Sequence, residues 1–342
     1  MKISDFDYNL PDTLIAQVPI EPRDHSRLMV LHRDSHTIEH RHFFEIVDYL
    51  EKGDIIVFNN SRVIPARLRG WKHGTVTQVE LLLLRRLDDN LWEALARPGK
   101  KLSAGTQVIL EDPSDKGKGT VMAEVVGDKE GGIKIVRLPE DACLSRLGRV
   151  PLPPYIRVPL TDLNRYQTVY AKVNGSVAAP TAGLHFTPRL LDTLENKGVK
   201  SAFVTLHIGL DTFRPVRAED PKQHHIHTEY GELSEEVASL INRTKNMGRR
   251  VVAVGTSTVR LLEAATHDGE VRPYAGQIRL FILPGYRFKI IDAMVTNFHL
   301  PKSTTLMLAA AFASRDFLLS AYNEAITQHY RFYSFGDAML IL

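Results

Sequence analysis

Residues 174–187, NGSVAAPTAGLHFT, gather the groups most capable of chemistry in this chain. Gly175 and Gly183, with small residues between them, let a backbone approach a ligand closely, and Thr181 adds a hydroxyl. Thr187-Pro188 reads as a helix start, whose free N–H groups favour an anion. His185, just ahead of that start, can donate, accept or transfer a proton. A tightly packed strand-to-helix turn around a core histidine is the plainer alternative, and the residues alone leave both open.

Three further segments have the same character. In 251–260, VVAVGTSTVR, an apolar strand ends at Gly255 and the hydroxyls of Thr256, Ser257 and Thr258 open a helix. With Arg260 one turn along, this is a carboxylate or phosphate cradle, although Ser and Thr are also ordinary caps. In 296–304, TNFHLPKST, Asn297, His299, Lys302 and the hydroxyls converge where a strand meets a helix. The third is rich in histidine: His207 in LHIG, then His224, His225 and His227 leading to Glu229. His225 and His227 share a face of an extended chain, which raises a zinc site as one reading and a polar cleft wall or base cluster as the other. Tyr330, Arg331, Phe332 and Tyr333 offer aromatic stacking beside a positive charge, a combination used on single-stranded RNA, or else a packed aromatic seam.

The elements that position these groups change character twice along the chain. A helical stretch at 42–51 and a short strand at 54–58 lead into Asn59, Asn60, Ser61 and Arg62. Short β-type runs then dominate, at 75–84, 91–96, 106–110, 120–126 and 133–138, separated by turn residues, which predicts a small β-barrel. After a proline-rich hinge at 151–154, strands and helices alternate. Helices are expected from Thr187 to Lys197, from Ser234 to about Met247, and from Ser303 to about His329, with strands at 200–208, 250–254, 277–283 and 292–297. The predicted fold class is α/β: a discontinuous α/β catalytic domain of 1–62 and 151–342, with a β-barrel inserted at 63–150.

Several classes are disfavoured. The chain of 342 residues has ordinary globular composition and no Gly-x-Gly-x-x-Gly, P-loop or Gly-x-Ser-x-Gly. One cysteine, Cys143, excludes an intramolecular disulfide and fits a reducing compartment. The N-terminus has acidic residues where a signal peptide would be apolar, and no apolar run approaches a membrane span. The net charge of +3 is weak, but residues 62–101 hold nine Lys/Arg against four Asp/Glu, a bias that fits RNA contact as well as an ordinary solvated face.

Together these segments resemble the S-adenosylmethionine:tRNA ribosyltransferase-isomerase family of queuosine biosynthesis. The resemblance runs nearly end to end: DFDYNLPDTLIAQ (5–17), RDHSRLMVL (23–31), GDIIVFNNSRVIPARLRG (53–70), RPGKKL (97–102), PLPPYIR (151–157), RYQTVYA (165–171), the segments quoted above, TLHIGLDTF (205–213) and YRFYSFGDAML (330–340). Asp211 departs from the family's glycine. The resemblance implies a soluble, cytoplasmic, monomeric enzyme that consumes S-adenosylmethionine as ribosyl donor and needs no metal. Its acceptor would be 7-aminomethyl-7-deazaguanine at the wobble position of a tRNA, its products epoxyqueuosine-tRNA, adenine and methionine.

Such chemistry needs a base for the acidic protons beside the sulfonium, deprotonation of the acceptor amine, and help for adenine as it leaves. His185, His207 and His299 are the expected proton-transfer groups, with Glu229 beside them. Tyr166, Gln167 and Tyr170 are expected to hold the flipped base. Thr256, Ser257 and Arg260, with Gly255, would grip the methionine carboxylate. Gly175, Thr181, Gly183 and Asn297 would line the substrate, and Asn59, Asn60 and Arg62 would border a cleft at the domain junction. Arg67, Lys100, Lys101, Lys302 and Arg331 are the expected tRNA contacts. Two other readings stand against this one: a metal-dependent hydrolase built on His225, His227 and Glu229, and a non-catalytic RNA-binding protein with steep salt dependence.

Overall fold

The computed structural model describes residues 1–112, 121–140, 143–209, 219–224, 226 and 228–342. They form two compact units: Met1–Arg62 with Pro153–Val173 and Ala179–Leu342, and Val63–Leu152 with Asn174–Ala178.

The first unit is built on a nine-stranded mixed sheet. Its strands are β1 (Arg27–His32), β2 (Thr37–His42), β3 (Ile55–Asn59), β4 (Lys200–His207), β5 (Glu229–Leu233), β6 (Val251–Val254), β7 (Tyr274–Ile278), β8 (Ala293–Asn297) and β9 (Ala338–Ile341). Across the sheet they run β7-β5-β4-β3-β6-β8-β9-β1-β2. β4, β3, β6 and β8 are parallel neighbours and form the centre. Their apolar runs, such as IIVF in β3 and VVAV in β6, are buried throughout, as expected of strands covered on both faces. The edge strand β2 is TIEHRH, whose exposed charges discourage pairing with another chain.

Five helices accompany this sheet: α1 (Pro188–Asn196), α2 (Glu235–Asn246), α3 (Thr256–Ala265), α4 (Thr304–Ala313) and α5 (Arg315–Thr327). Thr187, Ser234 and Ser303 cap α1, α2 and α4, each accepting a bond from a backbone N–H three residues on. Helix α4, TTLMLAAAFA, is apolar on nearly every side because almost all of it is buried. Ser314, at φ +69°, separates α4 from α5. One core joins β1, β3, β6, β8 and β9 to α1 through Val30, Phe58, Phe186, Leu194, Val254 and Val295.

The second unit contains a closed antiparallel barrel in the order Ile133–Arg137, Leu91–Arg97, Gln78–Asp88, Arg67–Lys72, Gln107–Leu110 and Met122–Asp128. Leu68, Leu81, Leu83, Ala94, Val108, Val125 and Val136 fill its interior.

Some elements differ from expectation for physical reasons. The strand Arg67–Lys72 was not anticipated because RLRGWK carries only one aliphatic residue facing inward. Gly70 holds the second inward position, where a Cβ would lie 2.0 Å from the Ile109 carbonyl oxygen. The helical stretch at 42–51 is a 3-10 helix, Phe43–Tyr49, burying Phe43 and Ile46 at the three-residue spacing that such a helix aligns. The strand expected at 277–283 ends at Ile278, and the Leu280 carbonyl accepts from Arg260 Nε at 3.0 Å instead of a strand partner.

Candidate active site

A cleft of about 910 Å³, open to solvent, lies at the carboxyl ends of β6 and β8 and is lined entirely by residues of the first unit. That is where parallel α/β sheets bind ligands. Gly255, Thr256, Ser257 and Arg260 form one side, Thr181, Thr296, Asn297 and His299 another. Thr304 and Thr305, at the start of α4, also line it.

The two helix starts at the cleft differ. Ser303 satisfies its own helix, accepting from the Leu306 N–H at 3.2 Å. Helix α3 has Gly255 as its N-cap, at φ +88°, with no side-chain cap. Its first-turn N–H groups therefore remain available to an anion, with the positive end of the helix dipole behind them. Ser257 is held by Asn59, whose Nδ2 donates to Ser257 Oγ at 3.3 Å and to the Leu206 carbonyl at 2.9 Å. Asn59 Oδ1 accepts from the N–H groups of Ser61 and Leu206. Asn59 is thus fully used as a clamp below the cleft and has no group left for substrate.

Arg260 and Glu229 pair through NH1 and Oε2, and both side chains are nearly buried. Glu229 Oε1 accepts from the Gly209 N–H at 2.9 Å. Arg260 NH2 is buried without a hydrogen-bond partner. A guanidinium with one paired nitrogen, one on a backbone carbonyl and one unspent beside an uncapped helix start can complete a carboxylate site.

On the other side a chain of hydrogen bonds fixes Asn297. Thr181 Oγ1 donates to Asn297 Oδ1 at 2.9 Å, which turns the amide so that Nδ2 donates to His185 Nε2 at 3.0 Å. Nε2 being an acceptor, His185 carries its proton on Nδ1 and donates it to Ser26 Oγ at 2.7 Å. Its ring stacks on Phe43 with centroids 4.9 Å apart. Burial, and then the nearby charges of Arg331, Arg23 and Arg165, push its pKa down to about 3. Both nitrogens of His185 are spent, and it does not line the cleft.

His299 does line the cleft. Thr296 Oγ1 holds its Nε2 at 2.8 Å, Tyr322 Oη accepts its backbone N–H at 2.9 Å, and Tyr8 donates to its carbonyl. Among the described residues its Nδ1 has no hydrogen-bond partner, and burial pushes its pKa down to about 3. His207, at the end of β4, lies outside the cleft lining and stacks on Tyr230 with centroids 6.4 Å apart; burial lowers its pKa also. Desolvation without a facing carboxylate thus keeps both His185 and His299 neutral near pH 7.

Other expected residues fall outside the cleft. Tyr166 is fully buried, edge-on to Phe335, and cannot stack on a base. Gln167 is buried, and its carbonyl accepts from Arg23 NH1 at 2.8 Å. Tyr170 packs on Phe58 and lies over Gly183, where a Cβ would come within 2.0 Å of its Oη. Gly183 is small for Tyr170, not for a ligand. Gly175, at φ +144°, belongs to the second unit. Asn60 accepts from Thr205 Oγ1 at 2.7 Å, and Arg62 is exposed.

Of the expected RNA contacts, Lys100 and Lys101 stand exposed in a 3-10 turn. Arg67 is part-buried, with NH2 on the Leu152 carbonyl at 3.4 Å. Lys302 is paired with Asp7 at 2.6 Å. Arg331 is half-buried and donates to the Val18 carbonyl. Of the two readings of 330–333, the packed aromatic seam is the one observed, since Tyr330 and Phe332 are fully buried and Tyr333 nearly so. His225, His227 and Asp211 lie outside the described residues, and among the described residues no cluster of three metal-ligating side chains occurs.

Beside Tyr333, the cleft has walls that the motifs did not announce: Tyr155, Ser334 and the run Leu280, Phe281 and Ile282. Their nearest sequence signals were the PLPPYIR and YRFYSFGDAML strings of the resemblance, which carry Tyr155 and Tyr333.

Residues 3–341 match the family described as queuosine biosynthesis protein. This chain belongs to that family. A relative from Dehalococcoides mccartyi, an S-adenosylmethionine:tRNA ribosyltransferase-isomerase, is 57% identical over the full length of both chains. One of the same description from Thermotoga petrophila is 51% identical, again over the full length of both. A crystal structure of S-adenosylmethionine tRNA ribosyltransferase from Thermotoga maritima is 42% identical, covers 99% of this chain and 100% of its own, and superposes with a TM-score of 0.58. No helix among the described residues is long and apolar enough to cross a membrane.

Proposed function

We propose that this enzyme of queuosine biosynthesis transfers and isomerises the ribosyl moiety of S-adenosylmethionine onto 7-aminomethyl-7-deazaguanine at the wobble position of a tRNA. Epoxyqueuosine-tRNA, adenine and methionine are the products. The observation that carries the residue assignments is the two-sided cleft. An uncapped helix start with Arg260 faces a fixed amide and imidazole across adjacent parallel strands.

The methionine carboxylate sits on the first-turn N–H groups of α3 with the free nitrogen of Arg260, and Ser257 is held in place for it by Asn59. Asn297 and Thr181 meet the nucleoside end of the donor, and His185 acts as a positioning residue that fixes the Asn297 amide from behind. His299 is the group assigned to proton handling, because its Nδ1 is unbonded at the cleft while both nitrogens of His185 are spent. As a neutral imidazole it can hold the acceptor amine by a hydrogen bond and orient its nitrogen for attack at C1′ as adenine departs. It can equally hydrogen-bond the departing adenine. Glu229 keeps Arg260 oriented and lies within the cleft lining as the nearest carboxylate. Tyr155, Phe281 and Tyr333 supply flat walls for the adenine or the flipped base.

Lys100 and Lys101 are assigned to tRNA phosphates from the exposed barrel turn. The 1–62 and 151–342 portion acts as the catalytic domain and the 63–150 insertion as its RNA-facing module, in a cytoplasmic monomer. The test is adenine release from S-adenosylmethionine, expected only with tRNA that carries the aminomethyl-deazaguanine. Equal release with unmodified tRNA would reject the acceptor assignment.

A further inference from the structure

Behind the His185–Asn297 pair lies a second, small hollow open to solvent, lined by Arg23, Arg165, Ser26, His185 and the backbone turn Ser334–Gly336, among others. Among the described residues no carboxylate lines it. It shares Ser334 with the cleft, so the two are neighbours across one hydrogen-bonded pair of side chains.

Three guanidinium groups concentrate positive charge here. Arg23, Arg165 and Arg331 all act on His185, and Arg165 is the largest charge effect on Arg23, whose own pKa falls to about 10 through burial and then that repulsion. Arg23 is anchored through NH1 on the Gln167 carbonyl and NH2 on the Asn164 carbonyl. Arg165 is anchored through NH2 on the Ile20 carbonyl, and its Nε meets the carboxylate of the exposed Glu21 as an ion pair. Glu21 and Asp162 offset part of this charge from outside the hollow. Cations held close together by backbone carbonyls, with the exposed Glu21 as the carboxylate that meets Arg165, suit a phosphate-like anion that takes that carboxylate's place.

Resting on the proposed function, we infer that this hollow binds one RNA phosphodiester next to the nucleoside being modified, with Arg165 as its principal donor. Arg is suited to such a site because its planar fork matches phosphate geometry. The consequence is that the flipped nucleoside and its own backbone are gripped on the two sides of the His185–Asn297 pair.

The test uses the full chain and anticodon stem-loop RNAs. In the wild-type protein, a neutral methylphosphonate at one linkage adjoining the wobble nucleoside should weaken binding about tenfold. Arg165→Gln should weaken binding of the unmodified-backbone RNA by about the same factor and lower the salt slope by about one. The methylphosphonate penalty should then vanish in Arg165→Gln, and thermal stabilisation by S-adenosylmethionine should be unchanged. Arg165→Lys, which keeps the charge, should recover the salt slope. Inorganic phosphate at millimolar concentration should not stabilise the protein, since the site is built for a diester placed by the neighbouring nucleoside. Either a methylphosphonate scan that shows no sensitive linkage beside the wobble position, or a penalty that persists in full in Arg165→Gln, overturns the inference. Adenine release by the wild-type protein is scored separately, so loss of the proposed reaction is not confused with loss of this site.

Discussion

Lowering the pH from 7 to 5 should destabilise this protein through its two buried neutral histidines, and replacing one of them should remove half of that effect. His185 and His299 are 5% and 8% exposed, and both have pKa values pushed down to about 3, against 6.5 in an unfolded chain. A base whose folded pKa is depressed is fully compatible with folding above the unfolded value. As pH falls through 6.5 the unfolded chain takes up a proton that the folded state refuses, and stability drops until the folded value near 3 is reached. Between pH 7 and 5 each histidine therefore costs about 2 kcal/mol, and the pair about 4 kcal/mol. The size of this loss is set by the unfolded value and by pH 5 lying well above the folded one. It does not change if the folded value is a unit higher. Urea unfolding at the two pH values measures it, with carboxylate contributions removed by comparison with a variant. His185→Gln will be less stable at both pH values, because Ser26 and Asn297 lose their partner. Its further loss from pH 7 to 5 should nevertheless be smaller than that of wild type by about 2 kcal/mol. A difference below about 0.5 kcal/mol, the usual error of such cycles, would refute the claim that His185 is held neutral.

Arg260→Lys keeps the charge opposite Glu229 but loses the fork, so the KM for S-adenosylmethionine should rise about tenfold while tRNA affinity stays unchanged. A rise in tRNA Kd instead would misplace the carboxylate site. Gly183→Ala should lower stability by about 1–3 kcal/mol through the clash with Tyr170, and adding Tyr170→Phe should restore part of it. Gly255→Ala has room for its Cβ but keeps φ at +88°, so its cost of about 1–2 kcal/mol is conformational, and Tyr170→Phe should not relieve it. Replacing Lys100 and Lys101 with alanine should reduce the salt slope of tRNA binding by about two, with adenine release unchanged at saturating tRNA.

Much of the fold was legible because it rests on local signals. Thr187 before Pro188, Ser234 and Ser303 announced three helix starts, and the apolar run at 251–254 followed by Gly255 announced a strand feeding an anion-seeking helix. Two strands of the sheet were less visible. β2 is polar because it is an edge, and β9 is only four residues long. The sequence singled out Thr181, Glu229, Gly255, Thr256, Ser257, Arg260, Asn297 and His299 of the cleft lining, but their roles depend on partners far away in sequence. Asn59 sits 198 residues from the Ser257 hydroxyl that it holds, and Glu229 sits 31 residues from Arg260. No spacing rule reveals that His185 has both nitrogens engaged while His299 has one free. The same distance effect hid the hollow, whose arginines were read only as parts of the RDHSRLMVL and RYQTVYA strings.

The central claim is that S-adenosylmethionine is used here as a donor of its ribosyl carbons, and a pair of labels tests it most directly. The protein is incubated with tRNA bearing 7-aminomethyl-7-deazaguanine and with S-adenosylmethionine labelled in the ribose or, separately, in the methyl group. The ribose label should enter the tRNA as adenine is released, and the methyl label should leave entirely as methionine. Methyl label on the tRNA, with S-adenosylhomocysteine as the by-product, would contradict the account.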